Sequence, residues 1–206
     1  MLKKICCAVI IASLVICPFI MTSCSSQTEV EVDQSITPHD VALKAISELG
    51  YTETDLAKLS NTESESEAGG QKKITEYYSE GSEDYMLDDN FFDILFGSNA
   101  DGLTLSMIEQ YSIMMFDKDL SVPFELMIFK LPKTDDKNDS ELINKVKKLF
   151  ANNLDQYKRT MQDYLSEFIP YAEQAKVKVT DNFVYYCMAE DSSKITTAIY
   201  NYLSGK

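Results

Sequence analysis

The chain has 206 residues, 45% of them hydrophobic and 11% aromatic, which suffices for one ordinary domain with extensions or for two small domains. With 19 basic against 33 acidic residues, the net charge is −14, and this argues against a nucleic-acid partner because phosphate neutralisation requires a basic surface. One histidine and no tryptophan leave little material for a zinc site, a Ser-His-Asp triad or a haem ligand.

Residues 1–23 are predicted to be a lipoprotein signal peptide. Lys3 and Lys4 precede an apolar run from residue 5 to residue 21, which is the layout of a secretory signal. The run contains Pro18 and is of marginal length for a stable membrane span. It ends in Met21-Thr22-Ser23-Cys24, which resembles the bacterial lipobox, where an aliphatic residue and two small residues precede an invariant cysteine.

Cys24 is therefore the predicted lipidation site. It would carry a diacylglycerol thioether, with fatty acids such as palmitate, and would hold the protein at the outer face of the cytoplasmic membrane, since two acyl chains suffice for stable attachment. An uncleaved signal anchor with an incidental Cys24 is the alternative. Cys6, Cys7 and Cys17 would leave with the signal, so Cys187 would be the one free thiol and no intramolecular disulfide could form.

The next two segments are predicted to lie outside the main domain. Residues 24–36 lack periodicity and predict a flexible tether. Residues 37–80 predict an acidic helical arm, in which Thr37 caps a first helix that Gly50 ends, Thr52 caps a second short helix, and a disordered insert lies near residues 61–70. Between residues 25 and 101, 18 acidic residues face 4 lysines, whereas residues 102–206 hold 15 acidic and 13 basic residues.

Residues 84–206 are predicted to form an α+β domain. Asp88 caps a short helix that Gly97 ends, and apolar runs at residues 113–116 and 122–131 predict a first hairpin. Apolar residues then recur every three or four positions, which predicts a long amphipathic helix that begins near residue 139 and ends at Pro170. A second hairpin turns at residues 180–182, and Ser192 caps a C-terminal helix. This order predicts a mainly antiparallel sheet of two hairpins, with the long helix between them.

From residue 86 onward the chain resembles an uncharacterised family of Gram-positive bacterial lipoproteins, domain-of-unknown-function family 4358. The matching stretches are residues 86–97, Met114-Met115, residues 125–130, the long helix, and Asn182-Phe183-Val184-Tyr185. Where the family has Tyr-Gly-Ile-Asp, this chain has Phe96-Gly97-Ser98-Asn99. The resemblance implies a shared fold and surface tethering. It implies no activity and brings no catalytic residues.

The residue types that most often act in catalysis or metal binding are expected to have structural roles in this chain. His39 is expected to be a solvated surface residue, and Cys187 a buried small hydrophobe. The adjacent carboxylates Asp88-Asp89, Asp117/Asp119 and Asp135-Asp136 stand where caps and turns are predicted. The stretch 135–141 is a weak calcium candidate because the glycine of an EF-hand loop is missing. We therefore predict no catalytic, cofactor-binding or metal-binding residue.

The sequence thus predicts a membrane-anchored extracytoplasmic lipoprotein whose domain binds or scaffolds a cell-surface protein or a wall polymer without catalysis. The alternative is a carboxylate-dependent hydrolase acting on cell-wall material, which would bring two carboxylates together in a cleft. A third interpretation is an accessory subunit of a membrane complex, which would show a flat apolar surface on the long helix. No cofactor and no nucleic-acid partner are expected.

Overall fold

The computed structural model describes residues 30–48, 50, 74–81, 86–116, 124–133 and 138–206. In these residues five strands form one antiparallel sheet with five helices packed on it, so the predicted α+β fold is confirmed. The strands are β1 (Ile74–Tyr78), β2 (Gln110–Phe116), β3 (Glu125–Lys130), β4 (Lys178–Thr180) and β5 (Phe183–Met188). The helices are α1 (Pro38–Ser47), α2 (Asp89–Phe96), α3 (Asn138–Tyr164), α4 (Ile169–Gln174) and α5 (Ser192–Leu203).

The sheet has the strand order β1-β2-β3-β5-β4, and every neighbouring pair is antiparallel. Both predicted hairpins are present, β2 with β3 and β4 with β5, and α3 lies between them in the chain. Strands β3 and β5 pair at the centre, with Leu126 opposite Cys187. All six positions of each of these two strands are buried, because helices cover both faces of the sheet there.

Helices α1 and α5 cover one face of the sheet. Their apolar side chains pack with those of β2, β3 and β5 in one cluster, which includes Val41, Ala42, Ala45, Ile46, Met114, Leu126, Ile128, Phe183, Tyr185, Cys187, Ile195, Ile199 and Leu203. The start of α1 carries the predicted cap. Thr37 Oγ1 accepts the backbone N–H of Asp40 at 3.1 Å, and the Asp40 carboxylate accepts the N–H of Thr37 at 3.1 Å.

Helices α2, α3 and α4 cover the opposite face. The cluster there includes Phe92, Phe96, Ile113, Met127, Phe129, Val146, Leu149, Phe150, Leu154, Ala172, Val184 and Tyr186. The apolar stripe of α3 packs against the sheet, and no large hydrophobic side chain is exposed among the side chains that the structure describes on this helix. The flat apolar surface expected for an accessory subunit is therefore not found on them.

Helix α1 and strand β1 lie in the same packed unit as the rest of the sheet, whereas the sequence placed both in a separate acidic arm. Strand β1 pairs with β2 from Ile74 opposite Phe116 to Tyr78 opposite Ser112. It was missed because its sequence, ITEYY, is short and carries a glutamate. That glutamate, Glu76, is buried and bonded to His39 and Ser112, which lie more than 30 positions away in the chain. No local sequence pattern therefore predicts the strand.

Two helix boundaries differ from those predicted. Helix α3 ends at Tyr164 rather than at Pro170, because Leu165 leaves the helical region with φ −141° and ψ 48°. Pro170 lies in the first turn of α4, where its missing N–H has no partner to lose. Ser192 is the first residue of α5, and Asp191 takes the capping position without a side-chain capping bond.

Several predictions fall on residues outside the described part of the chain. These are the signal peptide with Cys24, the second helix expected after Thr52, the insert near residues 61–70, and the pairs Asp117/Asp119 and Asp135-Asp136. Among the described helices, none combines the length and the apolar character that a membrane crossing requires.

Candidate functional site

The segment before α1 is fixed to the turn between β4 and β5. Val32 is 2% exposed, and its backbone N–H donates to Asp181 Oδ2 at 3.1 Å. The same oxygen accepts from Lys133 Nζ at 3.0 Å and from Gln34 Nε2 at 3.4 Å. Asp181 has a positive φ of 52°, which aspartate tolerates in a tight turn. The expected tether, residues 24–36, is therefore anchored to the domain in its described part.

A buried lysine completes this attachment. Lys130, at the end of β3, is 3% exposed, and its Nζ donates to the backbone carbonyl of Gln34 at 2.6 Å. Its charge is balanced by Glu109 Oε1 at 3.5 Å, and it lies 5.9 Å from the centre of the Phe183 ring. A buried ammonium group needs such partners, so we assign Lys130 a structural role in holding the segment.

His39 is not the solvated surface residue that was expected. Its Nδ1 lies 2.9 Å from Glu76 Oε1, its ring stacks on Tyr78 with 4.2 Å between the ring centres, and its side chain is 30% exposed. The hydrogen bond to Glu76 raises the pKa of His39 because the carboxylate favours the imidazolium, against an opposing effect of burial. No local sequence pattern could indicate this pair, because Glu76 lies 37 positions from His39 in the chain.

The neighbouring serine does not turn this pair into a catalytic triad. Ser112 Oγ donates to Glu76 Oε1 at 2.6 Å, so the hydroxyl and the imidazole meet at the same carboxylate oxygen. A nucleophilic serine instead needs its hydroxyl on the imidazole, and an exposed position from which to attack. Ser112 is fully buried. The three groups therefore hold β1, β2 and α1 together.

A second buried glutamate lies on the opposite face. Glu125, at the start of β3, accepts hydrogen bonds from the hydroxyl groups of Tyr157 on α3 and Tyr186 on β5. Asn153 Nδ2 donates to Glu125 Oε1 at 3.3 Å and to the Tyr186 hydroxyl at 2.8 Å. No cation is bonded to the carboxylate among the described residues. Sequence reasoning missed this cluster because its members are spread over β3, α3 and β5.

Burial without a counter-charge sets the protonation of this cluster. It raises the pKa of Glu125 to about 7, against the opposing effect of the two tyrosine hydroxyl groups. Burial and the adjacent carboxylate raise the pKa of Tyr157 and of Tyr186 as well. A carboxyl group with such a pKa has the protonation behaviour of a general acid. However, Glu125 is 3% exposed and bonded to the two tyrosine hydroxyl groups, and no second carboxylate bonds to it in the described part of the chain.

Cys187 is the described free cysteine and behaves as expected. It is fully buried on the face toward α1 and α5, and burial raises the pKa of its thiol, with a smaller contribution from the charge of Glu125. Asp88 is also confirmed in its predicted role, because its Oδ1 accepts the N–H of Phe91 at 2.6 Å at the start of α2. Within the described residues, no three histidine, cysteine or acidic side chains lie together as a metal site would require.

An open groove of about 540 Å³ lies between α1 and α5. Three lysines line it: Lys44 from α1, Lys194 from α5 and Lys206 at the end of the sequence. Glu48, beyond the end of α1, also lines the groove, and its backbone carbonyl accepts a hydrogen bond from Lys194 Nζ at 2.9 Å. On a chain with a net charge of −14, this groove is a local concentration of positive charge.

These elements define a layered α+β protein, in which helices cover both faces of an antiparallel sheet. Each face buries one glutamate, and each buried side-chain nitrogen or oxygen that the structure describes has a hydrogen-bond partner. Comparison of the chain with protein-family models, with curated proteins and with solved structures gives no match. The lipoprotein-family resemblance therefore stays a prediction, and function is argued from the residues themselves.

Proposed function

We propose that this protein is a lipoprotein anchored to the outer face of the cytoplasmic membrane through acylated Cys24, and that its α+β domain is a non-catalytic binding or scaffolding module. The observation that carries the proposal is the N-terminal sequence, in which two lysines, an apolar run and Met21-Thr22-Ser23 precede Cys24. The domain suits an exported protein that has no disulfide, because Cys187 is buried and both faces of the sheet are packed with apolar side chains.

The anchor is tested by the intact mass of the protein purified from its own membranes. Residues 1–23 should be missing, and the mass should include a diacylglycerol group. In a Cys24→Ala variant both changes should disappear, whereas the matched Cys17→Ala variant, altered within the same leader, should keep both. An unmodified thiol at Cys24, or a retained leader in the native protein, would contradict the anchor.

The binding surface that we propose is the groove between α1 and α5, and the ligand class is an anionic wall polymer. Lys44 and Lys206 form no ion pair with an acidic side chain among the described residues, and Lys194 lies 3.8 Å from Glu48 Oε2. Three lysines that line an open groove attract a polyanion despite the acidic character of the whole chain, and Lys206 Nζ lies 4.8 Å from the centre of the Tyr200 ring.

Co-sedimentation of the purified protein with isolated wall material tests this assignment. The double variant Lys44→Glu and Lys194→Glu should lose sedimentation, and the wild-type protein should lose it as salt rises well above about 0.15 M. The matched control, Lys145→Glu with Lys158→Glu, makes the same charge change on α3 and should sediment like wild type. Equal sedimentation of the two double variants would reject the groove as the binding surface.

The hydrolase alternative needs two carboxylates that converge in an open cleft. The described groups that come nearest to this chemistry are Glu76 and Glu125, which lie on opposite faces of the sheet and are both bonded inside the protein. Release of soluble fragments from wall material by the wild-type protein, abolished by Glu125→Gln, would favour the hydrolase over the binding module.

A further inference from the structure

The docked N-terminal segment enters the domain at one end of the sheet. We name this the near end, and it is the row formed by Gln110, Lys130, Phe183 and Thr180, which pair across β2, β3, β5 and β4. Val32 is held there by Asp181, in the turn that joins β4 to β5. The far end is the row of Met115, Glu125 and Met188 at the other ends of the same strands.

The number of residues between the anchor and the near end limits how far the domain can move. This step rests on the proposed function, in which Cys24 carries the lipid. Eight peptide units separate Cys24 from Val32, and a chain of that length reaches at most about 29 Å. An unconstrained chain of eight residues has a root-mean-square end-to-end distance of only about 16 Å.

Docking of the segment before α1 considerably shortens the chain that links Cys24 to the domain. If the domain began at Thr37, thirteen peptide units would separate it from Cys24, and the greatest reach would be about 47 Å. That distance exceeds the length of the strands, so any side of the domain could turn toward the lipid. With Val32 fixed, the far end lies roughly 17 Å further from the attachment point, because five residue steps along β5 separate Phe183 from Met188. Turning the far end to the bilayer would therefore extend the linking chain beyond the roughly 16 Å that it spans when it is unconstrained.

We infer that the near end of the sheet faces the phospholipid headgroups, and that the attachment of residues 32–34 to Asp181 and Lys130 sets this orientation. The docked segment thereby limits the orientations that a domain anchored through Cys24 can take. Helices α1 and α5 run antiparallel along the sheet, since Lys194 at the start of α5 meets Glu48 just beyond the end of α1. The groove between them therefore faces sideways, away from the bilayer surface.

Energy transfer from single labels to an acceptor dye in the bilayer tests this orientation. The lipidated protein, purified from membranes and placed in phospholipid vesicles, is labelled at Glu80→Cys beside the near end or at Glu190→Cys beyond the far end. Both positions are exposed, Cys187 is buried, and the sulfur of a lipidated Cys24 is blocked, so each variant takes one label. We expect the label at residue 80 to lie closer to the bilayer by about 17 Å.

A variant with a longer chain between Cys24 and the domain provides the matched control. An insertion of twelve glycine and serine residues after Ser25 leaves the described fold untouched, and it should make the two label distances converge. Equal distances from the two labels to the bilayer in the protein without the insertion would overturn the inferred orientation. A difference in these distances that the insertion does not reduce would overturn it as well. The mass of Cys24 in the same samples separates this result from failure of the anchor. A lipidated Cys24 with equal distances rejects the orientation alone, whereas an unmodified Cys24 rejects the proposed function.

Discussion

Among the described residues, each face of the sheet buries one glutamate, and the two glutamates have different hydrogen-bond partners. On the face toward α1, Glu76 meets the imidazole of His39 and the hydroxyl of Ser112. On the face toward α3, the described partners of Glu125 are neutral donors, from two tyrosines and an asparagine. Both carboxyl groups are less than 10% exposed. The difference between them is therefore the presence of a partner that can take a positive charge.

That difference decides which group changes its protonation. At Glu125, burial opposes the charged form of the carboxyl, and the pKa rises to about 7 because neutral hydrogen bonds do not fully replace the lost water. In the Glu76 pair the carboxylate instead raises the pKa of the histidine. A buried acid that lacks a cation adjusts by keeping its own proton, whereas one beside an imidazole promotes a proton on its partner.

The largest effect that we predict is a loss of stability with rising pH, caused by Glu125. The pKa of this carboxyl is raised in the folded state from 4.5 to about 7, so the fold binds the proton more tightly than the unfolded chain does. The free energy of unfolding should therefore fall as pH rises from about 4.5 to about 7, by about 3 kcal/mol in total. Urea unfolding at pH 5 and pH 8 measures this change.

The variant Glu125→Gln keeps the shape of the side chain and removes its titration, so the pH dependence should shrink by the part that Glu125 contributes and leave the part that the His39–Glu76 pair contributes. Asp93→Asn, an exposed carboxyl on α2, is the matched control and should unfold with the wild-type pH profile. If Glu125→Gln kept the full pH dependence, the assignment of the effect to this cluster would be wrong.

A smaller effect is predicted for breaking the histidine pair. Glu76→Gln removes the carboxylate that raises the pKa of His39, so this pKa should fall toward its ordinary value of 6.5. The chain has one histidine, and its NMR titration can therefore be followed without assignment. The stability that this pair contributes is present below pH 6.5 and is lost as pH rises through the raised pKa, so the variant should lose about 2 kcal/mol at pH 5.5.

The matched control for that experiment is Glu80→Gln. Glu80 acts on His39 through charge alone and contributes less than Glu76 does, so its removal should shift the titration only slightly. A titration of His39 that is identical in wild type and in Glu76→Gln would show that the two side chains are not paired in solution.

The smallest effect concerns the buried thiol of Cys187, on the same face as Glu76. Cys187 lies in the apolar cluster, and burial raises the pKa of its thiol. Its reaction with a thiol reagent should therefore be negligible in the folded protein and fast in urea. Cys187→Ala removes only the sulfur atom, so we expect a loss of about 1 kcal/mol in the free energy of unfolding. Rapid labelling of Cys187 under native conditions would contradict its burial.

Much of the fold could be read from local patterns. The capping residues Thr37 and Asp88 act on backbone groups three positions away, so their types and spacing suffice to predict them. The apolar period of α3 and the alternation of strands with polar turns have the same local origin. Pro170 misled the prediction because proline ends one helix and begins another equally well, and the break itself lies at Leu165.

The candidate sites were less accessible to such reasoning. Glu125 and Tyr186 are 61 positions apart, and Val32 and Asp181 are 149 positions apart. A glutamate in an otherwise apolar strand, as in ELMIFK, is the one signal that could have drawn attention to Glu125. The sequence contains no corresponding sign that residues 30–36 dock, because the acceptor is formed by a turn in the second hairpin.

The amino-acid sequence by itself determined the class of fold and the caps Thr37 and Asp88, since each depends on residues within a few positions of one another. The lipobox at Cys24 rests on the same kind of local pattern and stays a prediction. Only the tertiary structure decided that β1 joins the sheet and α1 packs on it, that His39 pairs with Glu76, and that Glu125 is buried with no cation bonded to it in the described part of the chain. The physical reason is that burial and charge pairing are properties of groups brought together by packing. Their free energies therefore depend on neighbours that the order of the chain does not reveal.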